Sequence, residues 1–223
     1  INDYFDQDID RKVYRTNKRP LATGSVSNFE ALFLFTFLLS LSALLLIFLN
    51  LLSFLIASSL LILVIFYPLA KRIMNVPQIV LGIVFSGGIL MAFSASINEI
   101  PLIAFVLMFA NFCWIFSYDT AYAMTDRDDD KFLNIGNSSN FFKGNEKLVI
   151  WLGSLINFFL IFVTGLNENI NSYFYIFSII IGFFLIYSIN MIDKNKTDTF
   201  FNFFKKNNYI GALIFISFFA GLN

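Results

Sequence analysis

Two short acidic segments contain the side chains of this sequence that are best suited to chemistry. The first is INDYFDQDID at residues 1–10, and the second is TDRDDD at residues 125–130. Aspartates recur in each segment at intervals of three or four residues, which predicts that they share one face of a helix. Like charges at these intervals repel, so a bound cation is expected. The residues grouped by this spacing are Asn2, Asp3, Asp6, Asp10, Asp126 and Asp130.

The donor atoms predict a hard metal ion. The chain has no His, and Cys113 is its only cysteine, which excludes histidine and cysteine metal sites and an internal disulfide. Oxygen ligands alone favour Mg²⁺ or Ca²⁺, and Mg²⁺ is commonly held by one or two carboxylates together with substrate phosphates. Two facing sets of carboxylates are therefore expected to hold Mg²⁺ ions that bind a diphosphate. Two solvated loops with ordinary surface charge are the alternative.

Basic residues lie next to the acidic segments and could bind the phosphate groups of a diphosphate ligand. RKVYRTNKRP, residues 11–20, directly follows the first acidic segment. In YPLAKR, Tyr67 and Lys71 are four residues apart, about one helical turn. Cations in these places can bind the phosphate oxygens that metal ions leave free. Anchoring of a membrane span is the alternative for Lys71 and Arg72.

The elements that must position these residues are membrane helices. The chain is 58% hydrophobic and only 13% charged, whereas soluble domains carry about 25% charged residues. Its net charge of zero argues against a nucleic-acid partner. Apolar stretches of near-spanning length, without period-two alternation, predict an all-α, polytopic transmembrane helical bundle. The seven predicted spans are residues 28–49, 51–70, 76–95, 101–118, 148–166, 173–191 and 208–222.

The positions of the basic residues predict the orientation of this bundle. If successive spans alternate in direction, all 15 Lys and Arg residues fall at one end. The positive-inside rule makes that end the cytoplasmic one. Both acidic segments belong to the same end, so they are expected to meet at one membrane surface although they are far apart in the sequence.

The motifs resemble those of a known family. NDYFDQDIDRKVYRTNKRPLATG, residues 2–24, closely resembles the first signature of the UbiA superfamily of intramembrane prenyltransferases. YDTAYAMTDRDDD, residues 118–130, resembles the second signature, and YPLAKRIMNVPQIVLG, residues 67–82, resembles the segment between them. The second signature is most similar to that of the branch that prenylates 4-hydroxybenzoate in ubiquinone biosynthesis.

The resemblance implies a fold and a location. Members of the family are bundles of nine transmembrane helices around a cavity that opens to the cytoplasmic side and to lipid. Residues 1–223 would be a single transmembrane prenyltransferase domain that lacks the first helix and most of the second, because the chain starts at the first signature. The protein is expected in the lipid bilayer of a bacterial or mitochondrial inner membrane, with its active site on the cytoplasmic or matrix side.

The resemblance also implies a reaction and a role for individual residues. A polyprenyl group would pass from polyprenyl diphosphate to an aromatic acceptor, with Mg²⁺ as cofactor, and the resemblance of the second signature implies that this acceptor is 4-hydroxybenzoate. One Mg²⁺ would be held by Asn2, Asp6 and Asp10, with Asp3 also matching the motif, and the other by Asp126 and Asp130. The diphosphate would be bound by Arg15, Arg19, Tyr67 and Lys71. Tyr118 and Tyr122 would shield the allylic cation by cation–π attraction. The implied catalytic residues are Asp6, Asp10, Asp126, Asp130 and Lys71.

Other functions account for parts of the same pattern. Relatives with this fold prenylate other acceptors, such as naphthoates, haem or homogentisate. A membrane transporter would be a different class, but transporters place charged residues near the bilayer midplane, and here the carboxylates lie at one end of the predicted spans. A purely structural membrane protein would leave the two acidic segments unexplained.

Overall fold

A computed structural model describes all residues, 1–223, and the chain is built from helices without strands. The helices, in chain order, are α1 (Asn2–Phe5), α2 (Gln7–Asp10), α3 (Pro20–Thr23), α4 (Asn28–Leu46), α5 (Leu51–Ile73), α6 (Gln78–Ile97), α7 (Leu102–Ala123), α8 (Arg127–Phe132), α9 (Ser138–Phe141), α10 (Glu146–Asn167), α11 (Ser172–Asn190) and α12 (Thr197–Leu222). The predicted fold class, an all-α transmembrane bundle, is confirmed.

Six of the long helices are long and apolar enough to cross a membrane: α4, α5, α6, α7, α10 and α11. They coincide with the first six predicted spans, although α7 continues to Ala123 rather than ending at residue 118. The seventh predicted span, 208–222, is the C-terminal part of α12, whose first turns are polar and charged. The predicted number of spans is therefore one more than the number of helices that meet these requirements.

Local polar residues set the ends of these apolar helices. At the start of α4, Ser27 and Glu30 form a capping box in which each side chain accepts a hydrogen bond from the other's backbone N–H. Asn50 caps α5 by accepting a hydrogen bond from the N–H of Ser53 at 2.9 Å. Asn98 ends α6 in the left-handed conformation, with φ of 56°. These caps explain why the chain breaks at the positions where hydropathy falls.

Helix α7 lies at the centre of the bundle and packs against α6, α10 and α12. Its contact with α10 is close and contains buried polar groups. Ser117 Oγ donates to the carbonyl of Ile150 at 2.7 Å and lies 2.8 Å from Ser154 Oγ, while Asn157 Nδ2 donates to the carbonyl of Ala110 at 3.0 Å. Because unsatisfied polar groups are costly away from water, these bonds hold α7 and α10 in one register.

Gly153→Ala is expected to destabilise the bundle, because a Cβ at this position of α10 would lie 2.6 Å from the carbonyl oxygen of Cys113 in α7. Such overpacking costs about 1–3 kcal/mol. The matched control is Gly88→Ala in α6, where a Cβ meets nothing within 4 Å. Thermal unfolding in detergent should show a lower midpoint for the first variant only, and equal midpoints would contradict the close approach of α7 and α10.

Candidate active site

A polar cavity of about 260 Å³ lies at one end of the bundle, where α5 and α7 end and α6 begins. Both acidic segments line it, together with cations and aromatic rings. The predicted site residues in its lining are Asn2, Asp6, Asp10, Arg15, Arg19, Tyr67, Lys71, Tyr122, Asp126 and Asp130. Asp3 and Tyr118, which were also predicted, are not part of this lining.

The first acidic segment is not the single continuous helix that its spacing predicted. Helix α1 ends at Phe5 and α2 begins at Gln7, with Asp6 between them at φ −96° and ψ 6°. The carbonyl of Asp6 accepts hydrogen bonds from the N–H groups of Ile9 and Asp10. The turn still brings Asp6 and Asp10 to the same cavity, and each is only 4% exposed.

Two cations, Lys71 and Arg19, neutralise carboxylates of the first acidic segment. Lys71 Nζ lies 3.0 Å from Asp6 Oδ2 and 3.2 Å from Asn2 Oδ1. Arg19 Nη1 lies 2.9 Å from Asp3 and 3.1 Å from Asp10. Burial raises the pKa of Asp10, and the charge of Arg19 opposes that rise. The carboxylates are thus neutralised by groups that can instead bind an anion.

Arg15 joins the basic segment 11–20 to the second acidic segment. Its Nε lies 3.0 Å from Asp126 Oδ1 and its Nη2 lies 2.6 Å from Asp126 Oδ2, a two-pronged pair. The same guanidinium lies over the ring of Tyr122, 5.4 Å from the centroid. Tyr122 in turn packs against Phe204 of α12, with ring centroids 4.9 Å apart. Tyr122, packed against Phe204 outside the lining, therefore borders the cavity and holds Arg15 in place.

The second acidic segment presents two carboxylates, Asp126 and Asp130, that are one helical turn apart. Asp126 precedes α8, and its carbonyl accepts the N–H of Asp130 at 2.8 Å. Burial raises the pKa of Asp130 to about 6; a hydrogen bond from Asn137 lowers it, and the charge of Asp126 raises it further. A carboxyl group in this situation gains from a nearby cation, because a cation favours its ionised form.

The donor atoms fit a divalent cation that shares its ligands with a phosphate. Asp6 Oδ1 is buried and has no hydrogen-bond partner, so an acceptor oxygen is available for a ligand. No three acidic side chains are close enough to enclose an ion by themselves. This arrangement suits Mg²⁺, which takes one or two carboxylates and completes its coordination with phosphate oxygens and water.

Comparison with known proteins identifies the family. The family model described as "UbiA prenyltransferase family" matches residues 1–219. The chain belongs to the UbiA prenyltransferase family. The resemblance found in the motifs is thereby confirmed, and the transporter and structural alternatives are set aside.

Individual relatives agree with this UbiA membership. The chain is 35% identical over 222 residues to the 4-hydroxybenzoate octaprenyltransferase of Pasteurella multocida (strain Pm70). The alignment covers 100% of the chain and 77% of the relative. The chain is 37% identical over 222 residues to the 4-hydroxybenzoate octaprenyltransferase of Histophilus somni (strain 2336). That alignment covers 100% of the chain and 78% of the relative. The apo structure of a UbiA homolog from Aeropyrum pernix K1 superposes with a TM-score of 0.80 at 25% identity, over 96% of this chain and 82% of that one. The protein is accordingly an integral, multi-pass membrane prenyltransferase.

In this UbiA prenyltransferase, the segment 136–139 also supports the site, and spacing did not reveal it. The N–H of Gly136 donates to the carbonyl of Lys71 at 2.8 Å, and the N–H of Ser138 donates to Gln78 Oε1 at 3.1 Å. Asn137 lines the cavity and is 2% exposed. The segment thereby connects the end of α5 to the start of α6. The polar run NIGNSSN was the one signal in the sequence, but it specifies no partner.

Asn137 is the centre of this support. Its Nδ2 donates to Asp130 Oδ2 at 2.6 Å and to the carbonyl of Ala123 at 3.0 Å. Its Oδ1 accepts hydrogen bonds from the N–H and the hydroxyl of Ser139, both at 2.7 Å. One buried amide therefore fixes the Asp130 carboxylate relative to the end of α7.

Asn137→Ala is expected to destabilise the protein by about 2–4 kcal/mol, because it removes four hydrogen bonds and leaves buried groups unsatisfied. Prenyl transfer should fall as well, since Asp130 loses its fixed orientation. Asn145→Ala is the matched control, because Asn145 is exposed and its side chain makes no capping hydrogen bond. Melting temperature and transfer rate are measured for both variants, and equal values would contradict the supporting role of Asn137.

Proposed function

We propose that this prenyltransferase transfers a polyprenyl group from polyprenyl diphosphate to the ring carbon ortho to the hydroxyl of 4-hydroxybenzoate, in ubiquinone biosynthesis and with Mg²⁺ as cofactor. The proposal of acceptor and donor is supported by the relatives, which are named 4-hydroxybenzoate octaprenyltransferases. The observation that carries the proposed chemistry is the single cavity lined by both acidic segments and three cations.

Some of the site residues are proposed to bind metal ions, and the others are proposed to bind the diphosphate. Asn2, Asp6 and Asp10 would hold one Mg²⁺, and Asp126 and Asp130 the other. When bound, Mg²⁺ would supply positive charge that stabilises the diphosphate as it leaves. Arg15, Arg19 and Lys71 would exchange their present carboxylate partners for phosphate oxygens, for which the forked guanidinium is well suited. Tyr67, whose ring lies 5.1 Å from Lys71 Nζ, would border the same phosphate.

The reaction would proceed by cleavage of the allylic C–O bond. Cations around the diphosphate stabilise charge that appears only as the bond breaks, so they lower the barrier and not merely the binding energy. The allylic carbon then forms a bond with the ring, and the ring loses a proton. The ring of Tyr122, backed by Phe204, would stabilise the cation and exclude water. Tyr118 lies one turn earlier on α7, 5.9 Å from Phe204 between ring centroids, and would extend this aromatic wall.

The proposed location follows from the charge distribution. The cavity opens at the bundle end that carries the basic residues, which is the cytoplasmic end by the positive-inside rule. We infer a bacterial inner membrane, or the mitochondrial inner membrane with the site towards the matrix. The diphosphate would then be delivered from the aqueous side, and the prenyl chain would remain in the bilayer.

The protein in lipid nanodiscs would be assayed with a polyprenyl diphosphate and a panel of acceptors. We expect transfer to 4-hydroxybenzoate, dependence on Mg²⁺ and release of diphosphate in equal amounts. Naphthoate, homogentisate and haem acceptors serve as the comparison. Preferred turnover of one of these would refute the proposed acceptor, and full activity in the presence of excess EDTA would refute the proposed metal.

A further inference from the structure

Asp119 differs from the other buried carboxylates of the cavity because it has no partner. It lines the cavity and is half-buried. Asp6, Asp10 and Asp126 form ion pairs, and Asp130 accepts a hydrogen bond from Asn137. Asp119 takes part in no ion pair and in no side-chain hydrogen bond, because Lys71 in the same cavity is bonded to Asp6 and Asn2 instead. A carboxylate that faces a cavity without a partner is free to accept a hydrogen bond from a ligand.

Asp119 also lies deeper than the residues proposed to bind metal. Helix α7 ends at Ala123, four residues later, so Asp119 lies about 6 Å further into the bundle at 1.5 Å per residue. Tyr67 is likewise one turn further into α5 than Lys71. The carboxylates and cations at the opening would hold the diphosphate, so the allylic carbon attached to it would point towards this deeper part of the cavity.

The groups that face the cavity around Asp119 include no second free base. Tyr67 and Lys71 come from α5, and Tyr122 comes from α7 itself. The remaining charged groups of the lining are the paired residues at the opening and exposed Asp129. The chain has no histidine that could serve instead. Asp6 Oδ1 also lacks a hydrogen-bond partner, but the other oxygen of Asp6 is paired with Lys71. Asp119 is thus the carboxylate with neither oxygen paired in the part of the cavity where a ring acceptor would meet the allylic carbon.

We propose that Asp119 binds the hydroxyl group of the phenolic acceptor and accepts its proton as the ring is alkylated. The inference rests on the proposed function, because it requires a phenol as acceptor. Loss of the hydroxyl proton increases electron density at the ortho carbon, which makes that carbon the nucleophile. The geometric requirement is a hydrogen bond between the phenol and the carboxylate, which an unpartnered carboxylate in the cavity can provide.

The steps balance in protons and electrons. The allylic C–O bond breaks, and its electron pair leaves with the diphosphate. The ortho carbon forms the new C–C bond while the hydroxyl proton moves to Asp119, which gives a neutral dienone. The ortho hydrogen then leaves as a proton to the diphosphate, and Asp119 returns its proton to the ring oxygen. The products are the alkylated phenol and protonated diphosphate, and Asp119 is regenerated.

The test compares Asp119→Asn with the unaltered protein in nanodiscs. Binding of a non-hydrolysable thiodiphosphate analogue of the prenyl donor is measured first, and we expect it to be unchanged, which also shows that the variant is folded. Transfer to 4-hydroxybenzoate should fall by about 10²-fold or more, the usual contribution of a general base. The loss of transfer rate should be clearly smaller with 3-fluoro-4-hydroxybenzoate. The hydroxyl group of this acceptor is more acidic, so its ionisation depends less on a general base.

Three results would overturn the inference: loss of analogue binding, an equal loss of rate with both acceptors, or full transfer in the variant. The first would place Asp119 in the metal and diphosphate site, and the second would indicate a structural role. Failure of the proposed function gives a different result. If the unaltered protein prefers another phenol, the acceptor is wrong and the same comparison is made with that phenol and its fluorinated form. If it alkylates only acceptors without a hydroxyl, both proposals are wrong.

Discussion

Asp126→Asn is expected to reduce prenyl transfer on the order of 10³-fold while the protein remains folded. Asp126 is proposed to hold Mg²⁺ and now forms a two-pronged pair with Arg15. The substitution removes one negative charge without changing the shape of the side chain. The metal would then be bound more weakly and the leaving diphosphate would be less well neutralised in the transition state.

The stability of this variant should change little. The Arg15 side chain is 46% exposed and that of Asp126 is 18% exposed, and pairs near the surface contribute about 0–1 kcal/mol. The matched control is Asp128→Asn, since Asp128 lies two residues further along in α8, is exposed and does not line the cavity. Transfer rate is measured over a Mg²⁺ titration for both variants. A normal rate for Asp126→Asn, or the same loss in Asp128→Asn, would exclude Asp126 from a specific metal site.

Lys71→Met is expected to have the second largest effect, and it should lower both prenyl transfer and the stability of the protein. It removes the cation proposed to bind the diphosphate, so kcat/KM for the prenyl donor should fall about 10²-fold. It also leaves Asp6, only 4% exposed, without its closest cation, because Arg72 lies 4.0 Å away from its other oxygen. Breaking a buried pair in this way costs about 3–5 kcal/mol.

A double variant separates the two effects of losing Lys71. Asp6→Asn combined with Lys71→Met removes both charges, so most of the lost stability should return while transfer stays low. Lys205→Met is the matched control, because Lys205 is exposed on α12 and lies over the ring of Phe201 rather than in the cavity. Unfolding and kcat/KM are measured for all three variants. Recovery of activity in the double variant would mean that Lys71 acts only by neutralising Asp6.

Features that depend on residue type and short spacing could be predicted from the sequence. The apolar stretches predicted six of the long helices and part of a seventh, because a bilayer-spanning helix requires a run of apolar residues of known length. The distribution of charged residues predicted that both acidic segments lie at one end. Most of the predicted site residues consequently line one cavity, since the same end of the bundle brings them together.

Features that depend on particular partners were decided only by the tertiary structure. The break at Asp6 could not be read from aspartate spacing, because the turn is stabilised by backbone bonds and by the partners of Asp6 across the cavity. The choice of Arg15 for Asp126, and of Asn137 for Asp130, joins residues whose meeting depends on helix packing.

Asp119 is the clearest example of a feature that the sequence alone could not predict. Its place in the second signature was visible in the sequence, but its lack of a partner was not. Hydropathy and periodicity describe one segment at a time. Whether a side chain has a hydrogen-bond partner depends instead on which side chains of other helices pack next to it. The sequence therefore determined which groups meet at the end of the bundle, and the packing of α5, α7 and the segment 136–139 decided which of them remain free to act.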